Sequence, residues 1–386
     1  MKNNRGNLLI IGIIFLTASR LIAQNVQCSE WKQMLPSEKI NVKTDNSNNN
    51  LDLAFFGGRY YLVFRTAPSH FASNKTRMFV VSSTDMENWE YETDFYHGND
   101  LREPRFIVYN EHLFIYYFEG GSSRFRFQPK HVWVSETADG KQWSKPRTAG
   151  LDGFVPWRLK TRNDTMYLSA YYGVGLYSDH HAGNLRLFRS CDGYQWEPIS
   201  DAPQVEIAGA EEGEFEFDKE GNLWGTVRLE NEGSFTVYAH RDSLDKWHLT
   251  PSGYKYDSAL MFEQEGDIYV ISRRNMDGKM DKAPHWLPDW LIQKYNQVRY
   301  SVTQKTTALF KLNKKEGKLT HLLDFPGTGD NAYPALLKKT FNSFVMLNYT
   351  SGLQEKKSWI RGQLGKTFIY RLEFLIGKGP ANKFSP

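Results

Sequence analysis

The sequence predicts an all-β protein with the fold of a six-bladed β-propeller, and three observations support this prediction. A short turn recurs six times along the chain, and each copy lies between two runs of strand-forming residues. Successive copies are about 50 residues apart, a period typical of propeller blades rather than of a sandwich. A polar turn followed by tryptophan also recurs, at residues 82–89, 135–143 and 190–196, with a weaker copy at 242–247.

The turn that precedes tryptophan has a structural explanation. Each copy places an aspartate in a tight turn between two strands, where its carboxylate can accept backbone hydrogen bonds. The tryptophan that follows can pack between neighbouring units. We therefore predict that Asp85, Asp139 and Asp192 staple the fold, are not catalytic, and mark the face of the propeller that carries no active site.

The blade count comes from the six copies of the turn that lies between two strand-forming runs. They lie at residues 57–58, 110–111, 163–164, 220–221, 265–266 and 341–342. A seven-bladed ring is the alternative, because residues 24–50 can supply either a closing strand or part of an additional blade. Closure by one strand from each terminus would suit a ring that must leave no free edge.

The N-terminus is typical of an exported protein. Residues 1–23 combine a basic start, an apolar stretch at 8–18 and a cleavage point after Ala23, which predicts a secretory signal peptide. Residues 24–386 then form a single propeller domain, located in the periplasm or outside the cell, with no integral membrane segment after cleavage.

The composition restricts the partners. Lysine and arginine number 48 against 44 aspartate and glutamate residues, and the basic residues are scattered, so nucleic acid is not an expected partner. The two cysteines, Cys28 and Cys191, exclude metal sites of the cysteine type, and we expect no cofactor or metal. Aromatic residues make up 15% of the chain, which favours sugar binding, although a repeating β-fold also uses aromatic residues in its core.

One rim of the predicted propeller collects the reactive side chains. The second strand of each blade ends on the face opposite the aspartate turns, at Arg65, Phe118, Tyr171, Arg228, Arg273 and Tyr349. The first strands begin on the same rim, and they contribute Arg102, Glu103, Arg105, Trp157, Arg158, Glu212, Glu214, Tyr256, Asp257, Asp330 and Tyr333. Loops that follow second strands add His70, His181, Trp286 and Trp290, the last two in an insertion that can form a lid.

This collection of residues indicates an acidic sugar as the ligand. A guanidinium group binds a carboxylate through two hydrogen bonds and keeps its charge at any relevant pH. The predicted substrate-binding residues are Arg65, Arg228, Arg273, Arg105, Arg158, Trp157, Asp257 and Trp286. The predicted catalytic residues are His70, Tyr333, His181, Tyr256, Glu212 and Glu214.

These motifs together resemble those of the sialidase superfamily, over nearly the whole mature chain. Residues 64–68 resemble its first-arginine motif, which helps to bind the substrate carboxylate. Residues 212–228 are similar to the stretch that holds a catalytic glutamate and the second arginine. Residues 330–334 resemble the blade that supplies its tyrosine nucleophile, which a neighbouring carboxylate activates.

One departure from the family changes the predicted reaction. The loop after Arg65 contains no aspartate where the family keeps its acid/base, and His70 is present instead. Arginine, histidine and tyrosine acting on a uronate without a metal resemble the ulvan-type propeller lyases in residue types. In such a reaction an arginine neutralises the carboxylate, His70 or Tyr333 removes the C5 proton, and His181 or Tyr256 protonates the departing oxygen at C4.

Three functions therefore remain open at the level of sequence. The first is β-elimination at a uronate, by a lyase or a dehydratase that gives a 4,5-unsaturated sugar. The second is hydrolysis by a sialidase-like exo-glycosidase, in which Tyr333 attacks the anomeric carbon and Glu212 or Glu214 assists. The third is a propeller that binds an acidic glycan without catalysis.

Overall fold

The structure is a computed structural model that describes residues 24–123, 128–173, 182–284, 286–353 and 355–378. These residues form six antiparallel sheets arranged as the blades of a β-propeller, together with two short helices. The predicted six-bladed propeller is thereby confirmed, and the seven-bladed alternative is wrong. No helix within the described ranges is long and apolar enough to cross a membrane.

Two strands precede the first blade, β1 (Gln24–Cys28) and β2 (Lys32–Leu35). Blade 1 consists of β3 (Ser47–Phe56), β4 (Arg59–Ala67), β5 (Arg77–Ser83) and β6 (Glu90–Phe95). Blade 2 consists of β7 (Leu101–Tyr109), β8 (His112–Glu119), β9 (His131–Thr137) and β10 (Arg147–Thr148). Blade 3 consists of β11 (Phe154–Arg162), β12 (Thr165–Tyr172), β13 (Ala182–Ser190), β14 (Glu197–Pro198) and β15 (Val205–Ala208).

The remaining blades follow the same order. Blade 4 consists of β16 (Ala210–Phe217), β17 (Leu223–Leu229), β18 (Ser234–Ala239) and β19 (His248–Ser252). Blade 5 consists of β20 (Asp257–Gln264), β21 (Asp267–Asn275), β22 (Lys305–Asn313) and β23 (Lys318–Phe325), with helix α1 (Asp289–Val302) inserted before β22. Blade 6 consists of β24 (Asn331–Lys338), β25 (Ser343–Thr350) and β26 (Phe368–Lys378), with helix α2 (Trp359–Gln363) before β26.

The ring is closed by strands from both ends of the described chain. Strand β1 is the outermost strand of blade 6 and pairs with β26 in antiparallel register, from Gln24 opposite Lys378 to Cys28 opposite Phe374. Strand β2 also pairs with β26. This agrees with the expected closure, and it ties the first described residues to the last blade so that the ring does not open at the junction.

The aspartate turns are structural, as predicted. Oδ1 of Asp85 accepts hydrogen bonds of 2.8 Å from the backbone N–H groups of residues 87 and 88. Asp139 and Asp192 make the same pair of bonds in blades 2 and 3. The tryptophan after the second of these turns, Trp143, packs against Tyr61 of blade 1, with the ring centroids 6.5 Å apart. Trp196 of blade 3 packs in the same way against Tyr116 of blade 2 at 5.6 Å, so the motif joins blades 2 and 3 to the blades before them.

The first strand of every blade is interrupted by a β-bulge near its start. The first unpaired residue of each bulge is Asn50, Glu103, Trp157, Glu212, Ser258 or Tyr333, in blade order. Five of these six residues have positive φ, between 40° at Asn50 and 64° at Tyr333, a conformation that non-glycine residues seldom adopt. Bulges re-aim side chains, and strained backbone of this kind is concentrated at functional sites.

Candidate functional site

A cavity of about 380 Å³ lies at the propeller axis, on the face opposite the aspartate turns. All six bulge residues line it. Five of the six predicted second-strand ends also line it, namely Phe118, Tyr171, Arg228, Arg273 and Tyr349. The volume is in the range of small-molecule sites, and the repeat places equivalent positions of all blades around one pocket.

His70 and Asp330 form a pair on one side of the cavity. Nδ1 of His70 lies 2.7 Å from Oδ2 of Asp330, and Oδ1 of this carboxylate accepts a hydrogen bond of 3.1 Å from the Tyr349 hydroxyl. Burial lowers the pKa of His70 below its usual value, although Asp330 opposes this effect. Burial alone would raise the pKa of Asp330, but the contact with His70 keeps it below its usual value. Because Nδ1 is engaged by a carboxylate, Nε2 is the nitrogen left to act as a base.

Two arginines hold the loop that carries His70. Arg65 donates hydrogen bonds to the carbonyl oxygens of the residues before and after the histidine, at 3.4 and 3.2 Å. Arg102 donates to the carbonyl oxygen of His70 itself, at 2.6 Å. Asp100 bridges the two arginines, since Oδ1 lies 2.7 Å from Nη2 of Arg65 and Oδ2 pairs with Nε of Arg102. This network fixes the backbone that presents the imidazole.

The position of Arg65 does not support the prediction that it binds the substrate carboxylate. Its side chain is completely buried and is absent from the cavity wall. A buried guanidinium requires a counter-ion, and Asp100 supplies it within the protein. Arg102, which shares that carboxylate, lines the cavity in its place.

Arg228 and Arg273 line the cavity as predicted, and they meet on one buried carboxylate. Nη1 of Arg228 lies 3.0 Å from Oδ1 of Asp257, and Nη1 of Arg273 lies 3.6 Å from Oδ2. Arg228 also contacts Glu211 at 2.7 Å and Glu212 at 3.1 Å. Asp257 itself is fully buried behind the cavity, so it holds the two arginines and does not contact a ligand there, contrary to the prediction.

Arg273 keeps hydrogen-bond donors for a ligand. Among the residues that the structure describes, its Nη groups have one ion-pair contact, the 3.6 Å approach to Asp257, and its Nε donates to the carbonyl oxygen of Asn331 at 2.9 Å. A guanidinium group carries five N–H donors. Arg273 is therefore the cavity arginine best placed to bind a carboxylate.

Two adjacent glutamates lie at the bulge of blade 4, Glu211 as the last paired residue before it and Glu212 within it. Glu212 lines the cavity as predicted, and its Oε2 accepts a hydrogen bond of 2.6 Å from the backbone N–H of Ser258. Burial raises the pKa of Glu211 to about 7, against the opposing charge of Arg228. The next residue, Gly213, has no room for a side chain, because a Cβ there would lie 2.3 Å from Leu185. The glycine thus allows the bulge to pack against blade 3.

Tyr333 and Glu103 come from different blades and act on each other at the cavity wall. Burial raises the pKa of Tyr333 well above its usual range, Arg105 opposes this, and Glu103 adds to it. Burial also raises the pKa of Glu103. Oε1 of Glu103 accepts a hydrogen bond of 3.1 Å from Asn50, and a side-chain interaction between Glu103 and the Tyr333 hydroxyl contributes to the pKa of both groups.

Three predicted residues lie behind the cavity rather than in it. Arg158 forms an ion pair with Glu214, and both side chains are buried. Oε1 of this glutamate accepts a backbone hydrogen bond from Met261 at 3.2 Å, so the pair joins blades 3, 4 and 5. Arg105 is buried as well, with its Nε bonded to the carbonyl oxygen of Trp157. The side chains of Arg158, Glu214 and Arg105 start next to bulges but point into the ring, so none lines the cavity.

Three further predictions have different outcomes. The structure does not bring Tyr256, a predicted proton donor, to the cavity, because its ring is buried against Phe310 in the core. Trp286 does not line the cavity either and is 82% exposed. The lid prediction is not supported at that residue, since the insertion approaches the site through Tyr300, which packs on the cavity residue Trp359 at 5.4 Å. His181 lies outside the described residues.

Sequence reasoning gave no role to several residues that the structure brings to the site. Glu103 and Asp330 were on the predicted rim. Glu103 occupies the same position of its blade as Glu212, and this equivalence in the repeat was a signal that it lies in the cavity. Arg102 was also on that rim. Trp359 begins the short helix between β25 and β26, and no repeat signal marks it.

Comparison with solved structures shows what the fold is similar to. A protein of unknown function from Dyadobacter fermentans superposes with a TM-score of 0.62 at 12% identity, over 91% of this chain and 99% of the other. A Trypanosoma rangeli sialidase mutant that displays trans-sialidase activity gives 0.58 at 12% identity, over 90% and 58%. The phage phi92 endosialidase gives 0.58 at 9% identity, over 94% and 71%.

These likenesses establish the fold alone, since all three identities are low. The chain corresponds to 58% of the length of the sialidase mutant. No protein-family model and no curated protein sequence matches the chain.

Proposed function

We propose that the protein is a carbohydrate-active enzyme that cleaves a carboxylated sugar by β-elimination at a uronate. The observation that carries this proposal is the His70–Asp330 pair, whose histidine lines one cavity together with Tyr333, Arg228 and Arg273. The fold similarity to sialidases supports a carbohydrate substrate. The export of the protein, predicted from residues 1–23, agrees with a polysaccharide fragment as substrate.

The charge states favour a histidine base and a tyrosine acid. A lowered pKa keeps His70 neutral near pH 7, so that Nε2 offers a lone pair. A raised pKa keeps Tyr333 protonated, so that it can donate. Near pH 7, His70 can therefore accept a proton and Tyr333 can donate one. Active sites that transfer protons separate the pKa values of an acid and a base in this way.

The reaction then follows from the positions of these groups. Arg273 binds the uronate carboxylate and neutralises its charge, which makes the C5 proton more acidic. His70 removes that proton, the C4–O bond breaks, and Tyr333 gives its proton to the departing oxygen. The products are a 4,5-unsaturated uronate and an alcohol, or water if the departing group is a hydroxyl.

A second candidate is hydrolysis through a tyrosine nucleophile, and a specific observation favours it. Glu103 acts on the Tyr333 hydroxyl and has a raised pKa, so it can accept the phenol proton during attack on the anomeric carbon. In this reaction His70 would have to be protonated to act as the acid, which its lowered pKa disfavours. We therefore rank hydrolysis second.

The two reactions and simple binding give different products. The purified protein would be incubated with oligosaccharides that end in a uronate and, separately, with sialylated oligosaccharides. Elimination produces an ultraviolet-absorbing conjugated double bond, and the product masses together equal the substrate mass for a lyase. Hydrolysis adds one water and gives no absorbance, and an unchanged substrate that remains bound indicates a binding protein.

Matched variants connect the result to the site. Arg273→Met is expected to abolish turnover, whereas Arg274→Met serves as the control, because Arg274 is the next residue of β21 and pairs with Asp324 on the exposed side. His70→Asn has its control in His240→Asn, an exposed histidine after β18. Turnover of a uronate substrate that survives both site variants would contradict the proposal.

A further inference from the structure

Arg105 differs from the other arginines inside the ring. Arg65 and Arg158 are each paired with a buried carboxylate. Arg105 is equally buried, yet its Nη1 and Nη2 atoms have no hydrogen-bond partner among the described residues. Its guanidinium carbon lies 4.1 Å from the centroid of the Tyr333 ring and 5.2 Å from that of Trp157.

The neighbouring carboxylates do not relieve this charge by contact. Asp52 accepts hydrogen bonds from the backbone N–H groups of residues 53 and 106. Glu103 accepts one from Asn50. A buried guanidinium with two unpaired ends is costly, because it has lost water without gaining an equivalent partner.

The arrangement becomes favourable when Tyr333 carries negative charge. A cation over an aromatic face is attracted by the ring even when the phenol is neutral. Loss of the phenol proton adds a full negative charge to the same ring, and at low local dielectric this attraction is large. The rings of Trp157 and Tyr333 stand edge to face at 5.6 Å and hold the guanidinium in place.

We propose that Arg105 is a positioning residue that acts through Tyr333, by holding a positive charge against the phenol so that its oxygen can become anionic during the reaction. This inference rests on the proposed function, in which Tyr333 reacts. In the elimination the O–H bond of Tyr333 breaks as the C4 oxygen takes the proton, and the phenolate that remains is neutralised by Arg105. Glu103 or water then returns a proton. Arg105 does not touch the substrate, because it does not line the cavity.

The test uses a difluorotyrosine placed at position 333 of the full chain, whose ionisation is followed by fluorine NMR. In an Arg105→Met background we expect the pKa of the probe to rise by about one to two pH units, the size of a desolvated cation–π contact. The same probe at Tyr349, whose hydroxyl donates to Asp330, is the control and should keep its pKa. An unchanged titration at position 333 would overturn the proposal.

The thermal midpoint of unfolding is a second readout, because a purely structural role of Arg105 predicts that the midpoint falls in the variant. Arg105→Met replaces an unpaired charge by an apolar chain of similar length, so the thermal midpoint is expected to stay equal or to rise. A large fall in the midpoint would overturn the proposal. If the methionine variant does not fold, the probe is titrated in Arg105→Gln, which removes the charge and keeps a polar side chain, and the same rise at position 333 is expected.

These outcomes are separable from those of the proposed function. An absence of unsaturated product together with the expected probe shift would reject the elimination and keep the role of Arg105. An unsaturated product together with an unchanged probe would keep the elimination and reject the role of Arg105.

Discussion

The removal of Arg65 tests whether this arginine holds the site together or binds substrate. Arg65→Met leaves Asp100 buried with one of its two arginines lost, and it releases the two carbonyl oxygens that flank His70. Breaking a buried ion pair from one side costs about 3–5 kcal/mol. With an unfolding entropy of about 2 cal/mol/K per residue, a chain of this length would lose roughly 4–7 °C in Tm.

The assay is thermal and urea unfolding of Arg65→Met beside a matched control from the same blade. Arg77 pairs with Asp94 at the surface, with about half of its side chain exposed, so Arg77→Met should cost about 1 kcal/mol or less. A wild-type midpoint for Arg65→Met, with a loss of affinity for acidic sugars, would refute the structural role and restore direct binding by Arg65.

Four further predictions concern the reacting groups. His70→Asn should lower kcat by about 10²–10⁴ without a change in the circular dichroism spectrum, and a loss below tenfold would exclude a base role. The acid limb of kcat/KM should lie below pH of about 6.5, because burial lowers the pKa of His70, and Asp330→Asn should move it lower still, because the carboxylate stabilises the protonated ring; a limb that moves upward would contradict this. Tyr333→Phe should abolish turnover but retain ligand binding, measured by calorimetry, and turnover within tenfold of wild type would remove Tyr333 from the mechanism. Glu211 has a folded pKa of about 7, above its unfolded value, so its contribution to stability should decline as pH rises from about 4 to 7; Glu211→Gln should flatten this part of the stability curve, and an unchanged slope would show that other groups cause it.

The repeat made the architecture predictable from sequence. Asp85, Asp139 and Asp192 identified the face opposite the cavity, because an aspartate that accepts the backbone hydrogen bonds of a turn leaves a recognisable pattern among adjacent residues. The second-strand ends were found by counting, since every blade has the same register, and five of the six line the cavity. The rim that carries the site therefore followed from periodicity.

The division between wall and interior was decided by the tertiary structure. Arg65, Arg105 and Arg273 all lie near strand ends on the predicted rim. The side chains of Arg65 and Arg105 are buried away from the cavity, and only Arg273 lines it. Arg65 turns toward Asp100 and the loop of His70, and Arg105 turns toward the carbonyl oxygen of Trp157, so contacts with other parts of the chain decide which guanidinium groups face the cavity.

The sequence by itself determined the fold, the face that carries the site and the residue types gathered there, because these depend on local turns and a repeated spacing. Only the tertiary structure decided which arginine pairs with which carboxylate. Asp100, Asp257 and Asp330 each pair with a residue from a distant part of the chain. Because these pairs are buried, they decide which charged groups already have a partner within the protein. Such contacts join residues that are far apart in sequence, so no local pattern records them.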